Sequence, residues 1–352
     1  MKKVIKFVLF IILIVVLAAA ALIGGLSLNE YRPAAQEALN LFTDQAKEEL
    51  QAGDELSILG WNIGYAGLGA ESDFFMDGGK ATRSADKETT LRYLEGIDSV
   101  TSSAEYDLVL LQEVDTDSMR SYSVNQVQQL AFGDSVFALN YSCPFVPYPM
   151  PPIGKVNSGL LTISDYNIET AERISLPCPF SWPVRIANLK RCLLVSRIPV
   201  KGSDAQLVLV NLHLEAYDSG EGKIAQTKLL TSFIQSEYER GNYVIAGGDF
   251  NQVFPDTQAL YPNLHPENWE AGVLAQADLP EGFSFAFDES TPTCRLLNQP
   301  YNPSDTAGTQ YYVIDGFILS PNVSLESVET LNLGFVNSDH NPVHLKVKLL
   351  NK

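Results

Sequence analysis

The chain has 352 residues, 45% hydrophobic and 19% charged, a balance that supplies ample core and excludes an intrinsically disordered protein. Its formal net charge of -18, with no basic stripe, disfavours tight binding to a nucleic-acid backbone unless a local patch or bound cation offsets the field. The length admits one large domain or two ordinary ones, and no repeat or long low-complexity tract divides it.

The N-terminus reads MKKVIKFVLFIILIVVLAAAALIGGLSL, with lysines at 2, 3 and 6 and an uncharged, mostly apolar run from Phe7 to Leu28. About 20 apolar residues cross a bilayer as a helix, whereas a soluble core helix of this length would not be apolar on every face. Residues 1–28 are therefore expected to be a transmembrane anchor or a signal peptide. The alanines at 18–21 offer a cleavage site, but the run is long for a signal sequence, which favours an uncleaved anchor. No cysteine near its end supports a lipoprotein. The lysines place the N-terminus on the cytoplasmic side. The expected location is a cell membrane, single-pass with the rest outside, or secreted if the segment is removed.

Residues 29–55 include PAAQEALNLFTDQAKEELQAGDE, whose Ala, Leu and Phe spacing predicts a short helix and linker. A single domain is expected over 56–352. Strand-like runs recur along it: LSILGWNIG, YDLVLLQEV, SGLLTIS, CLLVSRIPV, AQLVLVNLHL, NYVIAGGDF, YYVIDGFILS and HLKVKLL. Helices are expected near 86–100, 122–132 and 221–240. The short KGSD link between CLLVSRIPV and AQLVLVNLHL predicts a hairpin, hence mixed sheets. Two sheets with helices outside is the natural layered solution. Cys143, Cys178, Cys192 and Cys294 match no zinc spacing. Outside a cytoplasm they are permitted three full disulfide pairings, and buried free thiols are equally open.

Polar residues gather where the strands end: Asn62, Glu113, His213, Asp249 with Asn251, Asp315, and Asp339 with His340. In VIAGGDFNQVF, Asp249 and Asn251 stand two apart, so they project to one side beyond a strand end. A turn alone accounts for that pair, and a strand-end hydrogen bond or a core histidine accounts for others. Asp315, set between YYVI and GFIL, is harder to explain away, because a carboxylate there is costly without a partner such as histidine.

The segments WNIG, LLQEVD, NLHL, GGDFN, IDGF and SDHNPV, in that order, resemble the signature of the endonuclease/exonuclease/phosphatase superfamily over about residues 56–350. That superfamily includes pancreatic deoxyribonuclease, inositol-polyphosphate 5-phosphatases and bacterial sphingomyelinases. The resemblance implies a four-layered α/β sandwich of two mixed sheets flanked by helices, and metal-assisted hydrolysis of a phosphate ester. It implies Glu113 as principal ligand of Mg²⁺ (Mn²⁺ or Ca²⁺ being alternatives), with Asn62 and Asp339 completing that neighbourhood. It implies that Asp315 holds His340 for phosphate contact or acid–base chemistry, and that Asp249 orients or deprotonates water. Asn251 would steady the phosphate and His213 would donate to its oxygen. Whether Asp249 or His340 is the base stays open. Lys80, Arg83, Arg120, Lys155, Asn157 and Arg295 lie on stretches that border such sites and are candidates for substrate binding. The expected partner is a phospholipid or sphingolipid headgroup or a small phosphorylated metabolite. An extracellular nuclease and a non-catalytic surface binding module are the alternatives. A monomer is expected.

Overall fold

The computed structural model describes residues 1–43, 49–103, 105–305 and 308–351. Strands β1 to β10 are Gln36–Ala38, Leu41–Phe42, Glu55–Asn62, Leu108–Asp115, Asp134–Val146, Gly154–Ser164, Thr170–Ser175, Cys192–Pro199, Gln206–His213 and Tyr243–Asp249. Strands β11 to β18 are Gln252–Val253, Gly272–Val273, Ser284–Ala286, Cys294–Arg295, Tyr311–Tyr312, Asp315–Leu319, Val323–Thr330 and Val343–Leu349. Helices α1 to α5 are Lys2–Leu28, Lys87–Thr101, Gln126–Leu130, Glu221–Glu239 and Thr257–Leu260.

Two seven-stranded sheets carry the fold, in the orders β1-β7-β8-β9-β10-β16-β13 and β17-β18-β3-β4-β6-β5-β2. Each holds one parallel pair, β9 with β10 and β3 with β4, among antiparallel neighbours. A parallel pair needs a crossover, and α4 and α2 supply the two. Asp86 caps α2 by accepting from the Thr89 amide at 2.7 Å. Thr90, Tyr93, Leu94 and Ile97 then form its buried stripe.

Alternation along the strands sorts the core into layers. In β9, Leu207 and Leu209 face the other sheet, while Val208, Val210 and Leu212 face α4. In β4, Leu108 and Leu110 face inward, and Val109 and Leu111 pack with Tyr93, Leu94 and Ile97 of α2. The order is helix, sheet, sheet, helix, the expected four-layered sandwich of mixed sheets.

Two expectations change, and one left open is decided. The helix expected within 29–55 is absent from its described part, where β1 pairs with β7 and β2 with β5, one at the edge of each sheet. Open sheet edges offer unpaired backbone groups that outweigh a weak helical propensity; residues 44–48 of that stretch lie outside the described residues. The helix expected at 122–132 shrinks to Gln126–Leu130, because Tyr122 and Ser123 take left-handed backbone at φ 55°. All four cysteines are free thiols, three of them buried.

The helix α1 is long and apolar enough to cross a membrane. Its free length projects from the domain, but its last turns are seated. Leu26 packs against the cluster of Tyr141, Cys143, Val146 and Val156. The Trp182 indole donates to Ser27 Oγ at 3.1 Å. Just beyond, Glu30 pairs with Arg185 at 3.0 Å and Lys190 at 3.6 Å.

Candidate active site

Sheet register brings the chemistry together. Asp249 ends β10, opposite His213 of β9 on one side and opposite Asp315 of β16 on the other. Asn62 ends β3 in the facing sheet, next to Gln112 of β4. The two parallel pairs thus point their C-terminal ends at one cleft of about 620 Å³. Asp339 and His340 reach it from the segment entering β18.

Several donors crowd one oxygen, Asp249 Oδ2. Asn62 Nδ2 donates to it at 2.9 Å, His213 Nε2 lies at 3.3 Å, and His340 Nε2 at 3.9 Å. The other oxygen, Oδ1, accepts from the Asn251 amide at 2.8 Å. His340 Nδ1 meets Asp315 Oδ2 at 2.8 Å, the partnership that a buried carboxylate in an apolar strand demands. Its Nε2 also lies 3.9 Å from Asp339 Oδ2. The indole of Trp61 donates to the His340 carbonyl at 2.8 Å and fixes its backbone.

Glu113 owes its aim to a bulge. The β4–β6 register slips between Leu111 and Val114, and Glu113 sits there at φ 55°. One extra residue turns the side chain out of the alternation and toward the cleft. Asn251 is also left-handed, at φ 51°. Non-glycine residues with such backbone are strained, and they gather at functional sites.

Electrostatics follow from burial. Asp249 is pushed up to about 7, first by burial and then by the Asp315 charge, against the pull of His340. Asp339 is likewise pushed to about 7 by burial, opposed by His340 and reinforced by Glu113. Burial alone would lower His340, but Asp315, Cys294 and Asp339 outweigh it and hold it well above the usual histidine range. Burial and the cations of Arg191 and His340 hold His213 well below that range, so it is a neutral imidazole. One histidine is set to carry a proton and the other to donate without a charge.

The donor set suits a hard divalent cation. Glu113, Asp249 and Asp339 bring carboxylates to the same cleft, and two of them resist ionising when no cation is beside them. Among the described residues, ligand atoms of Asp249, Asp315 and His340 lie within 4.8 Å of one another, as do those of Cys294, Asp339 and His340. Asp315 Oδ2 is engaged by His340, while Glu113 and Asp339 face the cleft as candidate oxygen donors. Asn62 is tied to the acids around it. Its Oδ1 accepts from the Gly64 amide at 3.0 Å, and its Nδ2 bridges Asp249 and Glu113, the latter at 3.3 Å. It presents a donor to the acids and so positions them.

The expected substrate-binding residues fare unevenly. Arg120 lines the cleft, but its guanidinium forks onto Asp115 at 2.9 and 3.1 Å and stacks on Tyr65. Lys80, Arg83, Lys155, Asn157 and Arg295 are not among the lining residues. Lys80 is exposed, Arg83 donates to the Pro152 carbonyl, and Lys155 pairs with Asp117. Asn157 accepts from Ser142, and Arg295 is buried, donating to the Gly69 and Ser72 carbonyls. Apart from exposed Lys80, each of these side chains is engaged by a nearer partner in the fold.

Sequence reasoning missed the support beneath the site. Asn211, two residues before His213, lies on the inter-sheet face. It donates to the carbonyls of Leu111 and Leu161 at 3.1 and 3.0 Å, across the bulge that aims Glu113. Gln112 donates back to its Oδ1 at 2.8 Å. The signal was present, a polar residue on the core face of NLHL. Also missed were Asp77, Tyr217 and Trp269, which line the cleft. Asp77 accepts from the Tyr217 hydroxyl at 3.0 Å and is pushed up to about 6 by burial.

The chain is a two-sheet α/β sandwich with acids and histidines at its strand ends. A model of the Endonuclease/Exonuclease/phosphatase family matches residues 59–340, and the chain belongs to that family. Its members are generally metal-dependent hydrolases of phosphate esters. No curated protein matches the chain significantly. Among solved structures it is similar to an endonuclease/exonuclease/phosphatase from Beutenbergia cavernae, at 16% identity and TM-score 0.56, covering 84% of this chain and 72% of that one. It is also similar to one from Bacteroides vulgatus, at 16% identity and TM-score 0.52, covering 84% of this chain and 99% of that one. These likenesses bear on the fold alone.

Proposed function

We propose that this protein hydrolyses a phosphate ester outside the cytoplasmic membrane, anchored by α1, with a lipid headgroup or small phosphorylated metabolite as substrate. The observation that carries the reading is the convergence of Asn62, His213 and His340 on one buried oxygen of Asp249. A phosphate ester is anionic and repels a nucleophile, so donors and a base must be fixed in advance. A bound Mg²⁺ or similar cation, held by Glu113 and Asp339, would supply charge to offset that building on the phosphate. Asp249 accepts the proton of the attacking water as oxygen bonds to phosphorus and the ester P–O bond breaks. His340, charged and held by Asp315, gives its proton to the departing oxygen. Neutral His213 donates to a non-bridging oxygen, and Asn251, whose backbone amide holds Asp249 Oδ1 and whose side chain donates to the Leu214 carbonyl, positions the base.

The test is hydrolysis by the full chain of plasmid DNA, phospholipids, sphingomyelin, sugar phosphates and nucleotides, with Mg²⁺, Mn²⁺, Ca²⁺ or EDTA. Metal-dependent turnover lost in His340→Ala supports the reading and names the substrate class. DNA as the preferred substrate would favour an extracellular nuclease, and silence of both proteins on every substrate would favour a binding module.

A further inference from the structure

The cleft's lining has two parts of opposite character. One part is Asp249, His340 and Glu113; the other is Ile23 and Leu26 of α1 with Phe75, Val146, Tyr148 and Val184. The helix that is apolar enough to cross a membrane is therefore also a wall of the site. Its position sets the height of the opening. The run from Phe7 to Leu28 rises about 33 Å at ~1.5 Å per residue, against a hydrocarbon core of about 30 Å. With the lysines at one interface, Ile23 to Leu28 fall at the other.

The surface around that point is built for an interface. Tyr148, Met150 and Trp182 are 71%, 84% and 56% exposed, and Trp182 bonds to Ser27 of α1 itself. Aromatic rings at this level belong to the headgroup belt of a membrane. Arg185 and Lys190 stand beside them, near Glu30. An apolar patch rimmed by charge and continuous with a spanning helix is a membrane-contacting face.

We infer that the cleft is loaded from the bilayer that holds α1. The substrate is a phosphate-bearing lipid of the same membrane, its apolar tails against α1 and the loop carrying Tyr148, its phosphate at Asp249 and His340. This rests on the phosphoesterase reading and on α1 remaining attached, and adds the substrate's source and route.

The experiment uses the full chain in vesicles of phosphatidylcholine, phosphatidylglycerol and sphingomyelin with Mg²⁺, and bis(p-nitrophenyl) phosphate as a water-soluble substrate. Met150→Asp with Trp182→Asp should cut lipid turnover at least ~10-fold, about 1.4 kcal/mol, and leave the soluble substrate unaffected. Independently, a fluorophore on Met150→Cys in a Cys178→Ser background should be quenched by headgroup-level nitroxide lipids. No quenching, or lipid turnover indifferent to the aspartates while the soluble substrate is cleaved, overturns the inference and leaves the phosphoesterase reading intact. Quenching with no hydrolysis of any substrate overturns both the lipid route and the phosphoesterase reading, leaving only a docked domain.

Discussion

Asp315 does not itself line the cleft, yet it sets the charge of His340 through one 2.8 Å contact. Asp315→Asn keeps the shape and removes that charge. If His340 works as an acid, activity falls as pH rises through its raised pKa. Without Asp315 that alkaline limb should move to lower pH, and kcat should drop by about 10²–10⁴. A pH–rate profile reads both, and an unmoved limb would separate Asp315 from the chemistry. Glu113→Gln keeps the bulge but removes a charge. It should abolish metal-dependent turnover and weaken Mg²⁺ binding at least ~10-fold, seen by calorimetry. Asp315 was legible in the sequence because a carboxylate inside an apolar run is costly without a partner, whereas Asp249 and His340, each of which a turn would explain, stood out only through the ordered set of segments. Arg295 was not, because its carbonyl partners at Gly69 and Ser72 lie more than two hundred residues away in the chain.

At the scale of elements, the helices α2 and α4 and the β8–β9 hairpin were expected from apolar spacing and a short link. Which strands pair in parallel emerged only in the fold, and that register decided which side chains meet. The bulge at Glu113 left no mark in the pattern, since LLQEVD reads as an ordinary strand end. The strands β1 and β2 were hidden for another reason: their pairing depends on distant sheet edges, not on local preference. Asn211 links the sheets where the bulge opens the ladder. Asn211→Leu would strand the Leu111 and Leu161 carbonyls and the Gln112 amide. Urea unfolding should show a loss of about 2–4 kcal/mol, with activity falling further than the stability loss explains. Gly64, at φ +50°, has no room for a methyl, as a Cβ would lie 2.8 Å from Asp339 Oδ1. Gly64→Ala should therefore damage metal binding while far-ultraviolet circular dichroism stays unchanged.

For the whole molecule, the fold reaches back beyond residue 56. Leu50 is buried and bridges to Val200, and β1 and β2 close one edge of each sheet. A chain of residues 56–352 should melt at least ~5 °C below one of residues 30–352 in a thermal scan. The buried acids give stability an unusual pH dependence. Asp249 and Asp339 rise from 3.8 to about 7 on folding, so the native state binds more protons between those values. Metal-free protein should then lose stability as pH climbs from about 4 to about 7. Mg²⁺ competes with those protons, so its stabilisation should be larger at pH 8 than at pH 5.5, reaching about 2.7 kcal/mol at a hundredfold excess over Kd.

The left-handed backbone at Glu113 and Asn251 has a consequence for how the protein can change. Glycine adopts that conformation without a steric penalty. Random mutants sorted only for heat resistance should include glycine at these two positions, and those clones should be inert. Selection for durability and selection for turnover should pull these two sites in opposite directions.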